Sequence, residues 1–148
     1  MFDLFITMIE KPLVTVITVC YTAVSLIEKT IRSVLAQQYE HIEYVVVDGG
    51  STDGTIEVIR KYEAHISHWI TEQDEGIYDA MNKGVAMATG EWCIFLNAGD
   101  TFAADDVLNR IFQVPREADV IYGDVVKNGT VKAAEPSHNS HRMYFCHQ

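Results

Sequence analysis

Four carboxylates, an asparagine and an aromatic ring fall at the ends of apolar runs in this sequence. Residues 45–55 read VVVDGGSTDGT: an apolar run stops at Asp48 and spills into glycines, hydroxyls and a second acid, Asp53. Other runs end alike. LVTVITVC delivers Tyr21, HISHWITE leads to Glu72 and Asp74, and WCIFL leads to Asn97 and Asp100. In an open parallel sheet, ligands sit beyond the carboxyl ends of the strands. Acids clustered there repel one another unless hydrogen bonds or a cation offset them. Hard divalent ions take oxygen ligands, and Mg2+ typically uses one or two carboxylates together with substrate phosphates. A rim of this kind can therefore hold a diphosphate through Mn2+ or Mg2+. The same turn chemistry also caps helices, with Thr52 or Asp53 preceding a helix that begins near Thr55.

The elements that must position these residues alternate. The continuous apolarity of residues 13–20 suits a strand covered on both faces. Ser25 and Glu28 have capping-box spacing, and Ile27, Ile31, Val34 and Leu35 recur at helical spacing to about Gln37. Residues 42–47 read as the second strand, 55–62 as a short helix and 65–72 as a third, weaker strand. Ile77, Ala80, Met81, Gly84, Val85 and Ala88 mark one face of a helix that Gly90 ends. A strand at 92–96, a helix at 105–113 and a strand at 119–126 follow, and Asn128-Gly129 is the preferred two-residue hairpin turn. This order predicts an α/β fold with a mainly parallel sheet, then an antiparallel hairpin. Beyond Lys132 the periodicity is lost, and MYFC at 143–146 is expected to lack a packing partner.

The totals bound the function. A chain of 148 residues, 48% hydrophobic and 22% charged, makes one globular domain. A formal net charge of −10 excludes binding to nucleic acid or anionic lipid by general electrostatics. Cys20, Cys93 and Cys146 are scattered and odd in number, which suits a reducing, cytoplasmic setting with at most peripheral membrane contact. Residues 1–12 are apolar but contain Asp3 and no basic leader. They are expected to form a packed extension, not a signal or a span. Without a secretory context the sequon at Asn128 carries no glycosylation. His138, His141, Cys146 and His147 match no common structural zinc spacing.

No P-loop, no G-x-G-x-x-G after a strand and no G-x-S-x-G elbow occurs, and DGGSTDG lacks the ligands of a calcium loop. What the residues do match is a family. VTVITVCY, VVVDGGSTDGT, EQDEGIYDAMNKG and ATGEWCIFLNAGD, in this order and spacing, resemble the family-2 glycosyltransferases. That family has the GT-A fold and generally inverts the anomeric centre. The resemblance runs over roughly residues 13–148, and its nearest branch is that of bacterial exopolysaccharide and colanic-acid biosynthesis.

The resemblance implies a nucleotide-sugar-binding domain and a role for each matching position. Tyr21 lies beside the donor base or ribose, Asp48 accepts from the nucleobase (usually uracil), and Asp53 fixes the loop. Asn82, Lys83 and Gly84 face the donor, with Asp74 and Asn97 completing its site. Asp100, last in the metal motif, binds Mn2+ or Mg2+. Tyr78 and Asp79 help form the sugar pocket. Thr22 stands where the family commonly has asparagine, and Asn97-Ala98-Gly99-Asp100 stands for the usual D-A-D-D, so one carboxylate remains. The acceptor is a glycan or a lipid-linked molecule, and a homo-oligomer is compatible. An inverting transfer needs a general base. The resemblance places it beyond Gln148, so the acceptor half is expected to be incomplete, with Glu135 or Asp124 as the fallback base. A non-catalytic nucleotide-binding module is the alternative, and a flavodoxin-like receiver domain fits less well because Lys127 and Lys132 fall in the hairpin.

Overall fold

The computed structural model describes residues 11–113, 120–133 and 144–147. Glu135, His138, His141 and most of the N-terminal extension lie outside them. The elements run β1 (Val14–Cys20), α1 (Ile27–Leu35), β2 (Ile42–Asp48), α2 (Thr55–Lys61), β3 (His68–Thr71), α3 (Ile77–Met87) and β4 (Trp92–Phe95). They continue with α4 (Val107–Ile111), β5 (Val120–Tyr122), β6 (Val125–Lys127), β7 (Thr130–Lys132) and β8 (Tyr144–His147). Among the described residues, one sheet has the order β3-β2-β1-β4-β8-β5, and β6-β7 form a separate hairpin. The pairs β3-β2, β2-β1 and β1-β4 are parallel, as the alternating pattern predicts.

Strand parity divides the core. Val14, Val16, Tyr44, Val46, Trp92, Ile94 and Leu96 face the side where Ile27, Ile31 and Val34 of α1 and Ile59 of α2 pack. Ile17, Val19, Val45, Val47 and Cys93 face the other side, against Ala80 of α3. That period of two is what a doubly covered strand requires. On the α3 side the approach is close. A Cβ built on Gly84 would lie 2.4 Å from Ile17 Cγ2, so only glycine admits the helix at this distance from β1. The chain passes from β1 to β2 and β3 on one side, then returns through α3 to β4 on the other side of β1. The strand order thus reverses between β1 and β4, where such sheets bind ligands.

At the opposite rim, buried Glu43 (7% exposed) ties three segments. It accepts from Thr15 Oγ1 (2.6 Å), Thr89 N (2.7 Å) and Thr89 Oγ1 (2.8 Å). His68 Nε2 stands 3.8 Å away. Burial pushes the Glu43 pKa up, but the bonds from Thr15 and Thr89 outweigh it, and the net shift is downward.

Several boundaries differ from the sequence reading. Ser25 and Glu28 form no capping box: Leu26 occupies the N-cap without a side-chain bond, and Glu28 instead accepts from Tyr62 Oη (2.7 Å) and Lys61 Nζ (3.1 Å). A 3-10 turn at Glu63–His65 shortens the third strand, and α4 is only five residues long. The run 119–126 is broken after Tyr122: β5 stays in the large sheet, while Val125 onward turns into the hairpin. That hairpin turns at Asn128-Gly129 as expected, both with positive φ (51° and 73°). The segment expected to lack a partner is a strand. Tyr144–His147 inserts antiparallel between β4 and β5.

Candidate functional site

The VVVDGGSTDGT motif works as a zipper between two rim loops. Its alternate side chains accept successive backbone N–H groups of the loop after β1: Ser51 Oγ from Thr22 (2.8 Å), Thr55 Oγ1 from Ala23 (2.9 Å) and Asp53 Oδ2 from Val24 (3.1 Å). Each hydroxyl then passes the bond on, Ser51 to Asp48 Oδ1 and Thr55 to Asp53 Oδ1 (2.6 Å). Thr55 N also donates to Asp53 Oδ1 (3.1 Å). The Thr55 hydroxyl, with the backbone N–H groups of Val24 and Thr55, outweighs desolvation and holds the Asp53 pKa below the usual aspartate range. Thr22 is held at φ +50°, a left-handed conformation that a β-branched residue rarely adopts and asparagine tolerates better. Here the zipper holds a threonine in it.

Asp48 ends β2 as expected, but its carboxylate turns inward and is fully buried. Oδ2 accepts from Gly50 N (3.1 Å), Ser51 N (2.9 Å) and Thr71 Oγ1 (2.6 Å), and Oδ1 from Ser51 Oγ and Cys20 Sγ (3.6 Å). A carboxylate offers about four lone-pair sites. With four N–H and O–H donors already around it, Asp48 has no lone pair left in this geometry for the nucleobase contact expected from sequence. Burial, then the neighbouring Asp48, pushes the Cys20 thiol up, so it stays a protonated donor.

The open group is Asp74. With Tyr21 it lines a pocket of about 210 Å³, together with Val19, Cys20, Gly76, Ile77 and Ala80. Tyr21 is 68% exposed, at the end of β1. Asp74 Oδ1 accepts from Gly76 N (3.0 Å), and Oδ2 sits where a Cβ on residue 49 would be, 2.4 Å away. Glycine at 49 therefore makes the notch for this carboxylate. Val19, Gly76, Ile77 and Ala80 were not singled out as site residues from sequence. The signal for them was the glycine before an apolar helix face, since Gly76 takes φ +119° to start α3.

Other expected residues stand elsewhere. Asn82 is exposed and lies two positions from buried Ala80 and Gly84, on the far side of α3 from the sheet and outside the pocket. Its helical phase turns it away. Lys83 Nζ is engaged by Glu72 Oε1 (2.9 Å), Gln73 O (3.1 Å) and Asp79 Oδ2 (3.2 Å). Tyr78 is 75% exposed, and its neighbour Ile77 lines the pocket instead.

The turn after β4 adjoins the end of β1, with Ala98 N donating to Val19 O (3.1 Å). Buried Thr30 of α1 fixes it, donating to Asp100 O (2.8 Å) and accepting from Gly99 N (2.9 Å). Asp100 is exposed, and on the same turn Asn97 Oδ1 is buried with no hydrogen-bond partner. Among the described residues no three His, Cys, Asp or Glu side chains group as metal ligands. One open carboxylate and one unpartnered amide oxygen fit a hard cation that draws most of its ligands from a diphosphate.

The family model "Glycosyl transferase family 2" matches residues 15–146. The chain belongs to glycosyl transferase family 2. A family member from Mycobacterium bovis, a PGL/p-HBAD biosynthesis glycosyltransferase, is 31% identical over 93% of this chain and 57% of its own length. A putative teichuronic acid biosynthesis glycosyltransferase of Bacillus subtilis is 39% identical over 68% of this chain and 41% of its own. A mannosyltransferase from Pyrobaculum calidifontis, solved with GDP-Man and Mn2+, superposes with a TM-score of 0.67 at 28% identity. The match covers 74% of this chain and 34% of the mannosyltransferase. This chain thus spans about half the length or less of these relatives. Among its described residues no helix is long and apolar enough to cross a membrane.

Proposed function

We propose that this chain is the donor-binding part of a glycosyltransferase that moves a sugar from a nucleoside-diphosphate donor to a glycan or lipid-linked acceptor, with inversion, in bacterial surface polysaccharide synthesis. The observation that carries the reading is the pairing of exposed Tyr21 with the Asp74 carboxylate in one pocket at the carboxyl end of β1, the strand beside which the strand order reverses. The names of the relatives and the GDP-Man and Mn2+ in the mannosyltransferase support it.

Tyr21 offers a face for the base or ribose, a contact of the kind aromatic rings make with planar groups. Asp74, whose carboxylate has no donor of its own, accepts from an N–H of the base or a ribose hydroxyl. Asp48 serves the site from beneath by fixing the loop. Asp100, with Asn97 Oδ1, would hold a divalent cation, which stabilises the departing nucleoside diphosphate when bound. UDP is the diphosphate that the family resemblance puts first.

Thermal unfolding with UDP or GDP, with Mn2+ or with chelator, tests the reading. At about 100 times Kd, linkage gives roughly 2.7 kcal/mol, a rise of several degrees for a domain of this size. Absence of any shift with either diphosphate overturns the proposal, and equal shifts with and without Mn2+ remove the cation from it. Release of sugar to a glycan acceptor separates a transferase from a module that only binds.

A further inference from the structure

Lys83 of α3 is held on all sides. An ammonium group has three N–H donors. Here all three have acceptors: Glu72 at the end of β3, the Gln73 carbonyl beside it, and Asp79 one turn earlier on α3. Only 22% of the side chain is exposed.

These contacts join the two ends of one segment. Residues 72–76 connect β3 to α3, and Asp74 and Gly76 of that segment form a wall of the pocket. The inner end is fixed by Glu72 N donating to Asp48 O (3.0 Å). The outer end is fixed by Glu75 N donating to Asp79 Oδ2 (3.1 Å), the same oxygen that Lys83 contacts. Asp79 is thereby shared between the segment's backbone and the lysine. Ordering five residues costs about 1–2 kcal/mol each, so a segment this short depends on such bonds for its shape.

We propose that Lys83 is a positioning residue for the donor: it straps the 72–76 segment so that Asp74 and Gly76 face the pocket, and it does not touch the donor phosphates. The proposal rests on the donor-site reading above. A lysine reaching for phosphate would have to leave two carboxylates and a carbonyl, and those acids would then face the incoming anion unneutralised. When the strap is lost, the segment samples other shapes, and apparent affinity falls by the fraction that remains competent.

The test is Lys83→Met, which keeps the aliphatic stem, with Kd measured well below the unfolding temperature for two probe pairs, uridine with UDP and guanosine with GDP. The expected result is that Kd rises by the same factor, about tenfold, for a nucleoside and for its diphosphate. A loss confined to the diphosphate makes Lys83 a phosphate ligand and overturns the proposal. An unchanged Kd with a lower melting temperature makes the lysine merely structural and also overturns it. If the parent protein binds none of the four probes, the donor reading itself fails and takes this inference with it.

Discussion

Replacing Asp48 with asparagine tests whether this residue reads the nucleobase or builds the loop. Three donors converge on Oδ2, two backbone N–H groups and the Thr71 hydroxyl, while Ser51 and Cys20 donate to Oδ1. Hydrogen bonds to a charged group contribute about 1.5–3 kcal/mol and neutral ones about 0.5–1.5, so neutralising the acceptor weakens the Oδ2 set by roughly 3 kcal/mol. An amide NH2 in the place of Oδ1 then meets two donors, adding about 1–3 kcal/mol for the unsatisfied contact. Against this, a neutral amide is less costly to bury than a carboxylate. The net expectation is a loss of roughly 2–4 kcal/mol, or about 5–15 °C in melting temperature for a chain of this length. Ser51 also holds Thr22 N, so the loop after β1 loosens with it and affinity for every nucleotide falls together. Denaturant unfolding gives the stability, and calorimetric titration with UDP and GDP gives the binding. A variant as stable as the parent, altered only in its preference between the two nucleotides, would refute the argument.

Gly84→Ala places a methyl 2.4 Å from Ile17 Cγ2; overpacking of about 1–3 kcal/mol exceeds the helix-propensity gain of about 1 kcal/mol, so net destabilisation is expected in urea. In an Ile17→Leu background, which removes that methyl, the same substitution should become neutral or stabilising. Glu43 is a carboxylate whose folded pKa lies below its usual value of 4.5, so its stabilisation is complete above that pH and fades as pH falls through the folded value. Glu43→Gln should therefore be less stable than the parent at pH 7 by about 1–3 kcal/mol, with the gap narrowing below pH 4.5 in unfolding curves.

The parallel core was readable in advance because its information is local: apolar runs of strand length, separated by one-faced helices, leave few alternatives. The position of Asp48 at a strand end was readable for the same reason. Its direction was not, because Ser51 in the turn and Thr71 on another strand decide where the carboxylate points. The Lys83 engagement was half legible, since Asp79 stands four residues earlier on the same helix, whereas Glu72 arrives only through the fold. Asn82 could have been excluded from the pocket: two positions from Ala80 and Gly84 is about half a helical turn. Gly123 inside VIYGDVV was the sign that this run would not stay one strand. Nothing local marked residues 144–147 as a strand, because their pairing is with β4 and β5.

That last pairing imposes an order on synthesis. The strands β1 to β4 can assemble from contacts between neighbours as the chain emerges, but β5 is made before β8, the strand beside which it lies. Until β8 arrives, β4 presents an open edge and β5 has no place in the sheet. Such long-range closure is slow compared with local pairing, and an unpaired edge is a template for strand addition by another copy. Closing the sheet is thus the step at which self-association competes with folding, and temperature and protein concentration during expression act on that step before they act on the finished domain.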